Sequence, residues 1–427
     1  MQPTLSRRRF LERSAQLALA TSAAGSFLAA CSSSTTSTTG AAKTTITFWN
    51  AYNLTDAENS TLLTKVIPAF NKLYPNITVR SQDIPYQSLL QKLIASVAGG
   101  NGPDVVRTDI IWMPQLAKIG ALVSTDDIVA QRKSEFYDGP LATCAYQGKY
   151  YGLPLDTNTR VIYYDKSLFA QVGVSQPPAT TADFKAVASR ISALGKNIFG
   201  YAESGLDPWN TLPWIWSFGG AVTDANYTKA TGYVNGPQSV AALEFLLNLY
   251  NNRDLSPSIL GGSSLSPDDA FGKNQAGMIL DGPWVPPTFQ QGYPQLQYSM
   301  ALMPAGPDGH SASVVGGEDI TIMAASKNID AAKAFMQFMT SEQAQVLMGT
   351  TGQMPVLKSL AGNSRLPSYF SIYDQQLQTA YPRPVTPNYT KIETILTDAF
   401  TSAFHNQASA QAALNSAAQQ IDPLLQG

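Results

Sequence analysis

The side chains of this sequence that are best suited to hold a ligand are tryptophans and polar groups. Trp284 lies in the segment "GMILDGPWVPP", where Gly282 and the neighbouring prolines restrict the backbone. An aromatic face attracts C–H groups, and carboxylates and amides bond hydroxyl groups, so a surface with both types suits a neutral sugar. We predict that Trp284 is a preorganised stacking platform. The alternative is a core tryptophan that closes a strand end.

Two strand-like segments end in residues of these types. The segment "TTITFWN" ends at Trp49 and Asn50, and Asp109 follows "PDVVRT". Ligands gather at the carboxyl ends of strands in open α/β sheets, so we predict that all three residues contact the ligand. The alternative is that they only terminate their strands.

A third segment, "LPLDTNTRVIYY", carries Asp156, Asn158 and Arg160 at alternate positions. In an extended chain these side chains lie on one side. We predict that they bond ligand hydroxyl groups while Tyr163 packs behind them. The alternative is an exposed strand face whose Asp–Arg pair contributes little stability.

Three further candidates lie in the second half of the chain. The segment "DPWNTLPWIWSFGG" is rich in tryptophan, and Trp209 is the loop-like member that we expect to reach the ligand. Glu318 follows two glycines in "GGEDIT", which allow the backbone to approach a ligand closely. Arg383 lies in the proline-stiffened segment "AYPRPVTPNY"; it is either a site residue or a solvated surface arginine.

Composition argues against several classes of function. The chain has 28 Lys and Arg against 30 Asp and Glu, so it has no basic excess to neutralise nucleic acid, and no nucleic-acid partner is expected. Its cysteines are Cys31 and Cys144 and its histidines His310 and His405, and none has the spacing of metal ligands. We therefore predict no disulfide framework, no metal site, no cofactor and no catalytic residue.

The N-terminus is typical of an export signal. Arg7–Arg9 precede a weakly apolar stretch, Ala15–Phe27, that is too short to span a bilayer stably. The motif "SRRRFL" resembles the twin-arginine signal, and "LAAC", which ends at Cys31, resembles a bacterial lipobox. We predict that residues 1–30 are a lipoprotein signal peptide, that Cys31 carries acyl chains, and that residues 31–43 are a flexible Ser/Thr-rich tether.

Strand-like and helical segments alternate through the rest of the chain. Apolar residues at helical spacing predict helices over 62–73, 89–97, 182–194 and 240–250. The alternation predicts an α/β layer with a parallel sheet. Near the end, Thr390 and Glu393 form a candidate capping box, and the apolar stripe over 392–404 is predicted to face the core.

Eight segments, in order, resemble the extracellular solute-binding proteins of ABC importers, in particular the carbohydrate-binding group that includes the maltose-binding type. They are "ITFWN", "NGPDVVRTDIIWMPQLAKIGALV", "YQGKYYGLPLDTNTRVIYYDKSLF", "AGMILDGPWVPPTF", "GGEDITIMAAS", "AAKAFMQFMTSEQAQ", "GQMPV" and "RPVTPNYTKIETILTDAF". The resemblance implies two α/β lobes with a hinge and a ligand cleft between them. It places lobe 1 at 44–154 and 305–352 and lobe 2 at 155–304 and 353–427, with crossings near Leu155, 303–307 and 352–355.

This resemblance implies a monomer that captures a mono- or oligosaccharide without catalysis and delivers it to an ABC permease. It would act at the outer face of the cytoplasmic membrane, held by its lipid anchor. Maltose-binding members carry a Glu where this chain has Asn158, so maltodextrin specificity is not implied. Two alternatives stay open: a binder of a polyamine or of ferric ion, for which Tyr163–Tyr164 is a superficial match, and a secreted glycosidase with Asp156 and Glu318 as its carboxyl pair.

Overall fold

The computed structural model of the protein describes residues 43–52 and 57–426. The predicted signal peptide, Cys31 and nearly all of the predicted tether lie outside these residues. Within the described ranges, no helix is both long enough and apolar enough to cross a membrane.

Runs of β-branched and aromatic residues form the main strands, since such side chains pack well on a pleated surface. In chain order the strands are β1 Thr44–Asn50, β2 Ile77–Asp83, β3 Val105–Asp109, β4 Ala145–Tyr146, β5 Lys149–Tyr150, β6 Gly152–Asn158, β7 Val161–Asp165, β8 Phe199–Ala202, β9 Ala276–Asp281, β10 Tyr298–Ala301, β11 Ser313–Val314, β12 Gly316–Ile322 and β13 Ala380–Tyr381.

Apolar residues spaced three and four apart give the helices their buried faces. In chain order the helices are α1 Ala57–Thr61, α2 Ile67–Leu73, α3 Tyr86–Gly99, α4 Met113–Lys118, α5 Asp126–Arg132, α6 Asp138–Thr143, α7 Lys166–Gln171, α8 Thr181–Ser192, α9 Pro208–Ser217, α10 Pro237–Asn251, α11 Pro267–Gly272, α12 Val285–Gly292, α13 Ile329–Met339, α14 Glu342–Gly349, α15 Phe370–Leu377, α16 Tyr389–Phe404 and α17 Ala410–Leu425. The predicted helix over 62–73 comprises a π-helical segment, Leu62–Val66, followed by α2. The other three helix predictions are confirmed by α3, α8 and α10.

The first sheet has the strand order β2-β1-β3-β12-β6. Strand β1 pairs in parallel with β2 and β3, whereas β12 runs antiparallel to both β3 and β6. The prediction of a parallel sheet is therefore correct for β2, β1 and β3 and wrong for β12. Because β12 runs in the opposite direction, its first residues lie beside the last residues of β3 and β6, and Glu318 is opposite both Asp109 and Asp156.

The second sheet has the strand order β10-β7-β9-β8. Strands β8 and β9 are parallel, and β7 is antiparallel to β9 and β10. Val161 at the start of β7 pairs with Asp281 at the end of β9, so these ends share one edge of the sheet. The chain that leaves this edge after β8 leads to α9, and the chain that leaves it after β9 leads to α12.

The first crossing between the sheets is later than predicted. Leu155 lies inside β6, which belongs to the first sheet up to Asn158, and β7 of the second sheet begins at Val161. The chain therefore crosses at 159–160. Pairing with β12 accounts for the difference, since it extends the first sheet to Asn158.

The third crossing is also later than the predicted position at 352–355. Val356, Leu357 and Leu360 are buried in the same apolar cluster as Phe48 of the first sheet. These side chains keep the segment with lobe 1, and the chain reaches the second sheet only with α15, which contacts β7. The second crossing lies between β10 and β12, in the region of the predicted 303–307.

Helix α16 buries its apolar stripe, as predicted. Ile392, Leu396 and Phe400 are buried in one core cluster. The predicted capping box is wrong, because α16 begins at Tyr389 and its N-cap makes no side-chain hydrogen bond. Thr390 lies inside the first turn, and its hydroxyl donates to Gln115 Oε1 at 3.3 Å.

Cys144 is buried behind the first sheet. Its thiol donates to Asp319 Oδ1 at 3.1 Å, and the Thr143 hydroxyl donates to the same oxygen at 2.9 Å. Burial raises the pKa of the thiol, so the sulfur stays protonated and unreactive. These bonds connect the end of α6 to β12, at the residue next to Glu318.

Candidate ligand-binding site

The strand ends of the two sheets meet at a cavity of about 1130 Å³. Polar residues of the first sheet form one wall, and tryptophans that follow strands of the second sheet form another. The residues predicted from sequence that line this cavity are Asp109, Asn158, Trp209, Trp284, Glu318 and Arg383.

Trp209 and Trp284 stack in the cavity wall, with ring centroids 6.4 Å apart and ring planes 28° apart. Asp207 fixes the start of α9, because its Oδ1 accepts a hydrogen bond from the Trp209 backbone N–H at 3.0 Å. Trp214, one and a half turns further along α9, is fully buried in the core. The helix therefore gives one tryptophan to the cavity and another to the core.

Two glycines, Gly282 and Gly352, allow the backbone to pack closely around Trp284. A Cβ atom on Gly282 would lie 2.2 Å from Cη2 of the Trp284 ring, so only glycine lets the indole lie against this backbone. A Cβ atom on Gly352 would lie 2.6 Å from the Trp284 Cα. Trp284 also immediately precedes α12, whose first turn contains Pro286 and Pro287. Gly282 therefore lies against the indole ring, and Gly352 lies against the backbone that carries it.

Arg107 organises the polar wall, and sequence reasoning missed it. Its Nη1 lies 2.8 Å from Glu318 Oε1 and its Nη2 lies 3.5 Å from Asp156 Oδ2. Its guanidinium also lies 4.4 Å from the centroid of the Tyr52 ring. Arg107 and Asp109 occupy alternate positions of β3, so the two-residue period of a strand would have placed it beside the predicted Asp109.

Asp156 and Glu318 lie opposite each other on neighbouring strands, and Arg107 contacts both carboxyl groups. Burial raises the pKa of Asp156 well above its ordinary value, and the charge of Glu318 raises it further, against the effect of Arg107. Glu318 lines the cavity, whereas Asp156 lies behind it and does not.

Arg383 connects the polar wall to the aromatic one. Its Nη2 lies 3.5 Å from Asp109 Oδ1, and its guanidinium lies 5.3 Å from the Trp209 ring centroid. Asp109 also accepts a hydrogen bond from the Tyr86 hydroxyl at 2.7 Å. Arg383 is only 6% exposed, so the alternative of a solvated surface arginine is wrong.

Glu393 is a second lining residue that sequence reasoning did not select. Burial raises its pKa to about 7, and Asp109 and Asp207 add to the shift, while Arg383 opposes it. No sequence pattern singles out this position, because an acidic residue in the first turns of a helix is ordinary.

The described geometry is matched by a known family. Residues 55–346, more than half of the chain, match the model of the bacterial extracellular solute-binding proteins. The chain belongs to this family. The family predicted from sequence is confirmed, and so is the two-lobed fold with its hinge and its cleft between the lobes.

Named relatives and structures are similar to this solute-binding protein over most of its length. The galactooligosaccharide-binding protein of Bacillus subtilis is 23% identical over 85% of this chain and 86% of its own. The GacH receptor of Streptomyces glaucescens, solved unliganded and with acarbose, has a TM-score of 0.81 and 24% identity over 90% of this chain and 99% of its own. An ABC transporter solute-binding protein of Thermotoga lettingae, bound with α-D-tagatose, has a TM-score of 0.81 and 25% identity over 90% of this chain and 100% of its own.

Trp49, Asn50 and Arg160 of this solute-binding protein do not line the cavity. Asn50 is fully buried; its Nδ2 donates to Ser81 Oγ at 2.8 Å and its Oδ1 accepts from the Tyr52 backbone N–H at 3.2 Å. Trp49 is partly buried against the core, and Arg160 is enclosed behind Trp209. The geometry therefore favours the alternative interpretation of Asn50, in which this residue only terminates its strand.

Asn158 has a different position from Arg160, although both come from the same predicted segment. It is 8% exposed, it lines the cavity, and its Oδ1 has no hydrogen-bond partner among the described residues. A buried acceptor without a partner costs about 1–3 kcal/mol, so a donor from a ligand would relieve that cost.

Proposed function

We propose that this solute-binding protein captures a carbohydrate outside the cytoplasmic membrane and delivers it to an ABC permease. The stacked pair Trp209 and Trp284, which lines the same cavity as a charged polar wall, carries the proposal. Sugar rings present C–H faces and hydroxyl groups, and these two walls complement them. The galactooligosaccharide, acarbose and tagatose of the similar proteins support the same class of ligand.

The cavity favours a ligand of more than one ring. Its volume of about 1130 Å³ exceeds the roughly 300–1,000 Å³ typical of sites for drug-sized ligands. In the proposed complex one ring stacks on Trp284, and its hydroxyl groups bond Asn158, Glu318 and Asp109. Closure of the lobes about the hinge then buries the sugar, and the permease recognises the closed form.

The position of the predicted carboxyl pair supports capture without hydrolysis. Retaining and inverting glycosidases hold their two carboxyl groups about 5–5.5 Å or 6.5–9.5 Å apart, on either side of the bond to be cleaved. Asp156 and Glu318 are instead side by side on adjacent strands, both in contact with Arg107, and Asp156 does not line the cavity. With Asp156 outside the cavity lining, the pair does not face a bound glycoside from two sides.

A polyamine is the second candidate, because many carboxylates line the cavity. They are Glu58, Asp109, Asp207, Glu318 and Glu393. Arg107 and Arg383 compensate part of this charge, and the raised pKa of Glu393 removes more of it near neutral pH. A ferric site at Tyr163 is less well supported, since its hydroxyl is buried and donates to the Gly282 carbonyl at 2.8 Å.

A thermal-shift panel separates these candidates. The chain from Ser32 onward would be heated with mono-, di- and oligosaccharides, with spermidine and putrescine, and with ferric citrate. A ligand at a hundred times its dissociation constant stabilises the native state by about 2.7 kcal/mol, which is readily detected. We expect a shift with one oligosaccharide series. A shift only with a polyamine or with iron would overturn the carbohydrate assignment.

We also propose that the mature protein is a monomeric lipoprotein exported by the twin-arginine pathway. The supporting motifs are "SRRRFL" and the "LAAC" that ends at Cys31. Growth with a clickable fatty acid should label the wild-type protein and the Cys144→Ser variant but not Cys31→Ser. Label that persists in Cys31→Ser would contradict the anchor, and a dimer mass in light scattering would contradict the monomer.

A further inference from the structure

Arg160 is buried where the chain crosses between the sheets. It is 2% exposed, it follows β6, and it precedes β7. Its backbone carbonyl accepts a hydrogen bond from the Ser313 hydroxyl at 2.8 Å, and Ser313 belongs to the second crossing. The residue therefore joins the two crossings while its side chain extends into lobe 2.

The guanidinium of Arg160 contacts both segments that carry the stacked tryptophans. Its Nη1 donates to the backbone carbonyl of Trp209 at 3.2 Å, and its carbon lies 5.7 Å from the Trp209 ring centroid. Its Nη2 donates to the backbone carbonyl of Leu280, near the end of β9. The chain that follows Leu280 turns through Gly282 into Trp284.

A buried charge of this kind needs a partner, and Glu203 supplies it. Arg160 Nη2 lies 3.0 Å from Glu203 Oε1. The Glu203 carboxylate also accepts two other hydrogen bonds. The Tyr201 hydroxyl donates to its Oε2 at 2.8 Å, and the Ser204 backbone N–H donates to its Oε1 at 2.9 Å. Removing one partner of a buried pair is costly, so the guanidinium has little freedom to move.

We propose that Arg160 is the positioning residue of the tryptophan platform. It holds Trp209 directly, and it holds Trp284 through the Leu280 carbonyl, without itself touching the ligand. The planar guanidinium serves several acceptors at fixed angles, which a lysine ammonium cannot reproduce. The expected effect of Arg160 on sugar affinity rests on the proposed function. Its expected effect on the arrangement of the two indoles does not.

The first test compares ligand-free proteins. Coupling between two stacked indoles gives a circular-dichroism couplet, and Trp209→Phe and Trp284→Phe identify it by abolishing it. We expect Arg160→Lys to weaken or abolish the couplet while unfolding remains cooperative. Arg190→Lys is the matched control, because Arg190 also donates to a backbone carbonyl, that of Val172, but on the exposed surface of α8. An unchanged couplet in Arg160→Lys would overturn the proposal.

The second test is a double-mutant cycle with the best sugar from the thermal-shift panel. We expect Arg160→Lys to weaken binding by about tenfold, or 1.4 kcal/mol. In a Trp284→Ala background the same change should cost less than about threefold, because the platform is already lost. Costs that add fully would assign Arg160 a general structural role and overturn the proposal. If Arg160→Lys does not fold, Glu203→Gln enters both tests with the same expected outcomes.

Discussion

At the scale of single residues, the cavity combines one aromatic surface with charged groups that neighbouring residues hold in place. Trp284 offers its face because Gly282 leaves space for the indole, and Glu318 offers an oxygen because Arg107 fixes the carboxylate. Groups held in this way lose little further freedom on binding, so more of the contact energy contributes to affinity.

Replacing Trp284 should therefore reduce sugar affinity strongly. We expect Trp284→Ala to weaken binding by about tenfold or more, the range of a central aromatic contact. Trp216→Phe is the control: Trp216 lies on the same helix as Trp209 but stacks on Tyr381, outside the cavity lining. Calorimetric titration of both variants checks the prediction, and a loss below twofold in Trp284→Ala would contradict it.

Glu393 should make stability depend on pH. Its pKa is raised to about 7 in the folded protein from an ordinary 4.5, so the folded state binds more protons than the unfolded state between these values. Stability from this group is therefore lost as pH rises through that window. Glu393→Gln should gain stability relative to wild type at pH 8 and not at pH 4.5, by on the order of 1 kcal/mol or more. An equal difference in melting temperature between Glu393→Gln and wild type at both pH values would refute the predicted pH dependence.

At the scale of elements, strand direction decides which residues meet. The sequence was sufficient to predict β1 and β3 as strands and to select Asp109 and Glu318. It was not sufficient to predict that β12 runs antiparallel, since a strand pattern carries no information about its partner. That direction brings Glu318 beside both Asp109 and Asp156.

Polar residues of buried strands were the hardest to assign. Arg107 was missed although it alternates with Asp109 along β3, because that period gives only the shared side, and its carboxyl partners lie on other strands. Asn50 was predicted as a ligand contact because a polar strand end is compatible with both a site and a turn. Its bond to Ser81, which lies 31 positions away in the sequence, is a tertiary contact that no local pattern contains.

The turn between β9 and α12 gives a prediction at this scale. Gly282→Ala should displace the indole, because the new Cβ would lie 2.2 Å from the Trp284 ring. We expect a loss of sugar affinity of about tenfold, comparable to that of Trp284→Ala. Gly99→Ala is the matched control, since a Cβ there meets nothing within 4 Å. Fluorescence titration compares the two, and unchanged affinity in Gly282→Ala would show that the turn can adjust.

At the scale of the whole molecule, the lobes are joined by several crossings, which suits closure about a hinge. The resemblance predicted this architecture correctly, but it placed the first and third crossings too early. The reason is the same in both cases: pairing and burial keep 155–158 and 356–360 with lobe 1.

Closure should be visible in solution. We expect the radius of gyration from small-angle X-ray scattering to fall when a saturating oligosaccharide is added to the wild-type protein. The Trp284→Ala variant at the same sugar concentration should show little change, because it binds weakly. A constant radius of gyration in wild type, with binding demonstrated by calorimetry, would mean that the ligand binds without closure.

Capture of an oligosaccharide without hydrolysis is tested most directly by one calorimetric titration. The sugar is then recovered from the calorimeter's sample cell and analysed by chromatography. The account predicts saturable binding with one sugar chain per protein and recovery of the sugar intact. Absence of binding across the oligosaccharide panel, or release of shorter sugars from the bound ligand, would contradict it.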